Sequence, residues 1–124
     1  MAIVGVGVDT IEVARFAAVL ERRPLLVERC FTPAEAAYCA SRPAPAQHFA
    51  VRFAAKEAVG KALGVGMRRW REVEVVRRRG EPPEVALHGA LARRARDLGV
   101  TRLHLALSHS RTDAVAIAVA ERGE

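Results

Sequence analysis

The chain has 124 residues, 51% of them apolar and 27% charged, with a net charge of +6. That length supports one core and not two, and the composition is that of a soluble globular domain, which excludes disordered and fibrous classes. No apolar run nears the roughly 18 residues of a membrane span, nothing ahead of the first strand reads as a signal peptide, and Cys30 and Cys39 lack metal-ligand spacing, so free thiols in the cytoplasm are expected.

Met1 to Val8 is apolar and β-branched, with Gly5 and Gly7 interleaved, and reads as a buried strand whose glycines admit a close neighbour. Asp9 is expected to end it. Ile11, Val13, Phe16, Val19 and Leu20 then follow helical spacing up to Pro24. Thr32-Pro33-Ala34-Glu35 is a helix start with a hydroxyl N-cap, Pro at the first position and Glu at the third; that helix ends near Ser41. A loop from Ser41 to Ala46 leads into the longest helix, Gln47 to Leu63, closed by Gly64 and Gly66. Glu72 to Val76 and Glu84 to Leu87 read as strands joined by the turn Arg77 to Pro83. Gly89 to Leu98 is helical, and Arg102 to Ser108 and Ala114 to Ala120 are the last strands, joined by a polar turn at His109 to Asp113. The order predicts one α+β domain over residues 1–124, with a mainly antiparallel sheet packed on helices and one long central helix.

Of the 20 basic residues only Lys56 and Lys61 are lysines, and they flank Glu57 on the long helix. An ammonium is a compact charge and a guanidinium a planar fork, so the choice matters at a tight anion site. At 100° per residue, Lys56 falls within the apolar face near Phe49, while Glu57 and Lys61 share an adjacent stripe. The plain alternatives are a surface Glu–Lys pair and a lysine stem covering apolar surface. Asp9 stands where strands often place ligand groups, but Asp9-Thr-Ile-Glu12 is equally a helix-capping pattern. Together Asp9 and Glu57 form a sparse set of hard oxygen donors, of the kind that holds Mg²⁺ when water and phosphate supply the rest. His109, in Leu107-Ser-His-Ser110, sits at a strand end, where it and Ser108 are either phosphate contacts or ordinary turn residues. Gly64 follows a helix and does not precede one, so a C-cap is its default role. The positive charge points to an anionic partner without choosing one.

Gly7-Val-Asp-Thr-Ile-Glu12, Arg52-Phe-Ala-Ala-Lys-Glu-Ala58, Lys61-Ala-Leu-Gly64 and Leu107-Ser-His109 stand in the order and spacing of the holo-acyl-carrier-protein synthases. The chain resembles these small 4'-phosphopantetheinyl transferases nearly end to end, through Trp70 to Val75, Gly80-Glu-Pro82 and Leu87-His-Gly89. The resemblance implies transfer of the phosphopantetheine arm of coenzyme A to a serine of an acidic apo-acyl carrier protein, with Mg²⁺, releasing 3',5'-ADP. It implies a homotrimer with active sites at subunit interfaces, in fatty-acid or polyketide metabolism. Asp9 and Glu57 would hold the metal, and one of them, acting through a metal-bound water, is the candidate acceptor of the serine proton. Lys61 would offset phosphate charge. Arg52 and His109, with Lys56, Gly64 and Ser108, would bind the coenzyme, and Arg15 would dock the carrier. Arg68, Arg69 and Arg71 would extend that docking surface. Val65 replaces the family's usual small hydroxyl residue, and the stretch from Gly66 to Trp70 is shorter than usual, which bears on carrier preference.

The competing reading is a non-catalytic basic module that binds nucleic acid through Arg68 to Arg71, Arg77 to Arg79 and Arg93 to Arg96. It leaves Asp9 and Glu57 without a purpose, and the chain lacks interleaved aromatics for base stacking. A non-catalytic partner subunit with the same fold would not need the carboxylates either.

Overall fold

The protein is described as a computed structural model covering residues 1–78 and 80–123; Arg79, placed by the sequence in the hairpin turn and among the basic contacts, lies outside the described residues. Strands β1 (Ala2–Glu12), β5 (Asp113–Arg122) and β4 (Arg102–His109) form an antiparallel sheet in the order β1-β5-β4. Strands β2 (Val73–Val76) and β3 (Glu84–Leu87) form a separate antiparallel pair, Val73 opposite Leu87. The helices are α1 (Val13–Arg22), α2 (Leu26–Cys30), α3 (Pro33–Ser41), α4 (Pro45–Ala62) and α5 (Gly89–Asp97).

Helix α4 lies across one face of the three-stranded sheet. Alternation explains why: Ala114, Ala116, Ala118 and Ala120 of β5 all point inward and are fully buried, the last three in one cluster with Ala54, Ala55, Ala58 and Val59. Small residues on both sides let helix and sheet approach closely, and the glycines of β1 take this to its limit. A methyl placed on Gly7 would lie 1.9 Å from the Ala58 carbonyl oxygen, and one on Gly5 1.9 Å from that of Ala62. A second cluster, with Val13, Phe16, Phe31, Cys39 and Phe49, fills the space between α1, α2, α3 and the start of α4.

Several expected boundaries move. Asp9 does not end β1: the ladder with β5 continues through Thr10 opposite Val115 and Ile11 opposite Ala114 to Glu12 opposite Asp113. Asp9 is therefore not a helix cap, and α1 starts at Val13 after an extended Glu12. The main-chain bonds of a paired strand outweigh the local capping pattern. The short α2 was not expected. The capping box at Thr32 is present in full: its hydroxyl accepts from the Glu35 N–H and the Glu35 carboxylate accepts from the Thr32 N–H.

The outer face of the sheet is bare. Val6, Val8 and Ile117 are 59%, 51% and 43% exposed, and Val8 stands directly opposite Ile117. Among the described residues no helix is long and apolar enough to cross a membrane.

Candidate active site

Two groups of polar side chains stand on different sides of α4. The first joins β1 to α4. The Lys61 ammonium donates to the Asp9 carboxylate at 3.1 Å and to the Val8 carbonyl at 3.0 Å. This pairing takes the place of the alternative surface Glu57–Lys61 pair, because the glycines of β1 bring the strand within reach of the helix. Glu57 instead accepts a hydrogen bond from the Trp70 indole at 3.1 Å. Asp9 and Glu57 are each half-buried, and each keeps one carboxylate oxygen without a protein hydrogen bond among the described residues. Two such oxygens suit a hard divalent cation whose remaining ligands are water and phosphate. No cluster of three or more His, Cys, Asp or Glu side chains able to hold a metal occurs among the described residues, so a cation here would need those outside ligands.

The second group lines a cavity of about 730 Å³ between α3, α4, the end of β4 and the start of the β2–β3 turn. Arg42, Arg52, Arg77, Arg78, His48, Ser108 and His109 face it. Arg52 is buried at 3% exposure, its guanidinium 4.1 Å from the centre of the Tyr38 ring. Its Nε has no hydrogen-bond partner among the described residues. A cavity lined by four arginines is suited to an anion. His48 and His109 meet edge to face at 5.2 Å. Burial, and then His109 and the neighbouring arginines, push the His48 pKa below its ordinary value.

Lys56 joins neither group, and its expected place among the coenzyme ligands is withdrawn. It is fully buried, and its ammonium donates to Glu35 Oε1 at 2.7 Å, to the Trp70 carbonyl at 3.0 Å and to the Val73 carbonyl. An ammonium has three donors, so none remains. Burial pulls its pKa below the ordinary lysine value, with the Glu35 carboxylate pulling the other way. Gly64 takes a left-handed backbone (φ +71°) just past α4, its N–H bonded to the Lys61 carbonyl, which is the work of a helix terminator. Arg15 is exposed on α1, beside a groove of about 300 Å³ formed with Ile11, Phe16, Val19 and Phe53. Phe53, on its wall, lies one turn before Glu57 on α4. Arg69 pairs with Glu72 at 3.3 Å, while Arg68 and Arg71 are exposed. The contact between the Trp70 indole and Glu57 could not be read from spacing, because it joins residues 13 apart on different elements.

A sheet covered on one face by a long helix, with acidic and lysine side chains at their junction and an anion-suited cavity nearby, is an α+β enzyme scaffold. The sequence model of the 4'-phosphopantetheinyl transferase superfamily matches residues 5–120, and the chain belongs to that family. It is 46% identical over 117 residues to the holo-[acyl-carrier-protein] synthase of Moorella thermoacetica, covering 93% of this chain and 91% of that one. It is 50% identical over 121 residues to that of Beutenbergia cavernae, covering 97% and 99%. Its fold is similar to the crystal structure of a holo-(acyl-carrier-protein) synthase from Bacillus anthracis in complex with CoA (3',5'-ADP): TM-score 0.80, 30% identity, 98% of each chain. The chain is thus a transferase of the holo-acyl-carrier-protein synthase kind.

Proposed function

We propose that the protein transfers the 4'-phosphopantetheine arm of coenzyme A to a serine of an apo-acyl carrier protein, in a Mg²⁺-dependent reaction that releases 3',5'-ADP. The observation that carries this is the presence of the Asp9–Lys61 pair and of Glu57, held by Trp70, together with a cavity walled by arginine, in a chain of this family. The cavity takes the nucleotide end, with Arg52 and His109 toward its 3'-phosphate and Ser108 beside them. Arg15 and its groove take the acidic carrier.

Asp9 and Glu57 would hold the metal, which when bound offsets charge on the pyrophosphate and so eases departure of the nucleotide. The residues do the rest. The serine oxygen attacks the β-phosphorus, a new P–O bond forms, and the bond to the bridging oxygen of 3',5'-ADP breaks. The serine proton passes to Glu57 or Asp9. Lys61, held by Asp9, lends positive charge to the phosphates as the negative charge shifts to the leaving group.

Within one subunit the cavity and the carboxylates do not meet: Arg52 and Glu57, five residues apart, project about 140° from each other around α4. A second copy can complete the site. The bare Val6, Val8 and Ile117 surface is an apolar patch of the kind that closes interfaces, and a homotrimer with interface sites joins the two halves. The enzyme works in the cytoplasm, where its coenzyme and carrier are made available to lipid synthesis.

The test is the intact mass of an apo-acyl carrier protein after incubation with this protein, coenzyme A and Mg²⁺. A gain of one phosphopantetheine, abolished by EDTA, supports the reading. No gain with fatty-acid and polyketide carriers overturns it.

A further inference from the structure

The geometry points to Trp70 as a positioning residue for Glu57: the indole N–H holds one oxygen of that carboxylate and leaves the other free for the reaction. The inference rests on the role given to Glu57 above.

Trp70 is fixed from two sides. Its ring stacks on Phe53 with centroids 5.9 Å apart and an interplanar angle of 23°. Phe53 stands one turn before Glu57 on α4, so ring and carboxylate share a face of one rigid element. Its carbonyl oxygen accepts from the Lys56 ammonium at 3.0 Å. The same ammonium binds the Val73 carbonyl and Glu35 Oε1, while Glu35 Oε2 accepts from the Val75 N–H at 2.9 Å. Lys56 and Glu35 thus pin residues 70 to 75 at several points, from inside the core. With backbone and ring held, the indole has one direction left for its single N–H, and Glu57 Oε1 lies 3.1 Å along it.

A donor of this kind does two things for a carboxylate. It selects one rotamer of a side chain that otherwise has several, and it occupies one oxygen, so that the other has a defined direction. Glu57 makes no ion pair among the described residues. Nothing else in the described protein does this for it.

Trp70→Phe keeps a ring for Phe53 and removes the N–H. The expected result is a fall in kcat of about tenfold, the scale of one hydrogen bond to a charged group, with KM for coenzyme A and for the carrier within about twofold. An independent readout comes from the chain having one tryptophan. Its indole N–H gives a single ¹⁵N-resolved resonance, and Glu57→Gln should move that resonance upfield as the charged acceptor is lost. An unmoved resonance overturns the inference whether or not Trp70→Phe folds. With transfer by the wild-type protein and its loss in Glu57→Gln both in hand, wild-type kcat in Trp70→Phe overturns the positioning role alone; so does a change confined to KM or to stability. Absence of transfer by the wild-type protein removes the parent reading and this one with it.

Discussion

Gly7 and Ala58 meet without room for a side chain: a methyl on Gly7 would sit 1.9 Å from the Ala58 carbonyl oxygen and 2.9 Å from the Ala62 amide nitrogen. The obstacle is helix backbone, which has no rotamer to change. The contact also sets the distance over which Lys61 reaches Asp9 and Val8. Gly7→Ala must therefore push β1 off α4. Overpacking of this kind costs about 1–3 kcal/mol, and the upper end applies here because no flexible group can yield. Urea denaturation reads the loss directly. Activity should fall further than stability, since the Asp9–Lys61 pair sits two residues on. A Gly7→Ala protein as stable and active as wild type would show that the strand can shift freely.

The close approach of strand and helix was legible in the alternating glycines of Met1 to Val8, and the long helix was legible from Gln47 to Leu63 against the observed Pro45–Ala62. The Thr32–Glu35 cap was legible because it is local. The extension of β1 past Asp9 was not, since a ladder is decided by a partner more than 100 residues away, at Asp113 to Ala116. Lys56 shows the same limit. Its spacing put it on the apolar face, but its true partner, Glu35, lies 21 residues earlier and its carbonyl partners come after the helix. The sequence pattern singled out Asp9, Glu57 and Lys61, of which the fold pairs Asp9 with Lys61; it could not tell that Lys56 is a buried clamp.

That clamp predicts unequal effects. Lys56→Met leaves Glu35 buried and the carbonyls of Trp70 and Val73 without their donor. Breaking a buried pair on one side costs about 3–5 kcal/mol. Adding Glu35→Gln removes the stranded charge, so the double variant should be more stable than Lys56→Met alone. Denaturant midpoints of wild type, Lys56→Met, Glu35→Gln and the double variant decide it. Strictly additive losses would mean that the 2.7 Å contact carries no coupling.

The bare sheet face makes a prediction about assembly. Ile117→Glu places a charge beside Val8, across the strand pair. In a free subunit that site is solvated, and the change should alter stability by under about 0.5 kcal/mol. In a trimer closed by this face it buries an unpaired charge. Light scattering should show wild-type protein at three times the subunit mass and Ile117→Glu at one. If turnover needs both halves of a composite site, it falls with the oligomer. A variant that remains trimeric would place the interface elsewhere.

Arg15 tests the separation of carrier from coenzyme. It is exposed on α1 beside the groove of Ile11, Phe16, Val19 and Phe53, away from the arginine-lined cavity. Arg15→Ala should raise KM for the carrier about tenfold, with the larger change at low ionic strength, and leave coenzyme A binding within about twofold. Equal effects on both substrates would contradict the division.

His48 gives the cavity a pH dependence whose sign can be worked out. Burial lowers its pKa below the ordinary 6.5, and His109, Arg42, Arg52 and Arg77 lower it further. Protonation is thus disfavoured in the folded, ligand-free protein, and folding stability falls as pH drops from the ordinary 6.5 toward the lowered folded value. An anion entering the cavity acts the other way: negative charge close to an imidazole favours the imidazolium. Binding then takes up protons, so affinity for 3',5'-ADP should rise as pH falls toward and below the ordinary imidazole value of 6.5. Calorimetry in two buffers of different ionisation enthalpy counts the protons. His48→Gln should reduce the uptake. Affinity independent of pH over that range would mean that the phosphate does not reach the histidine wall, and would leave the arginines alone as its ligands.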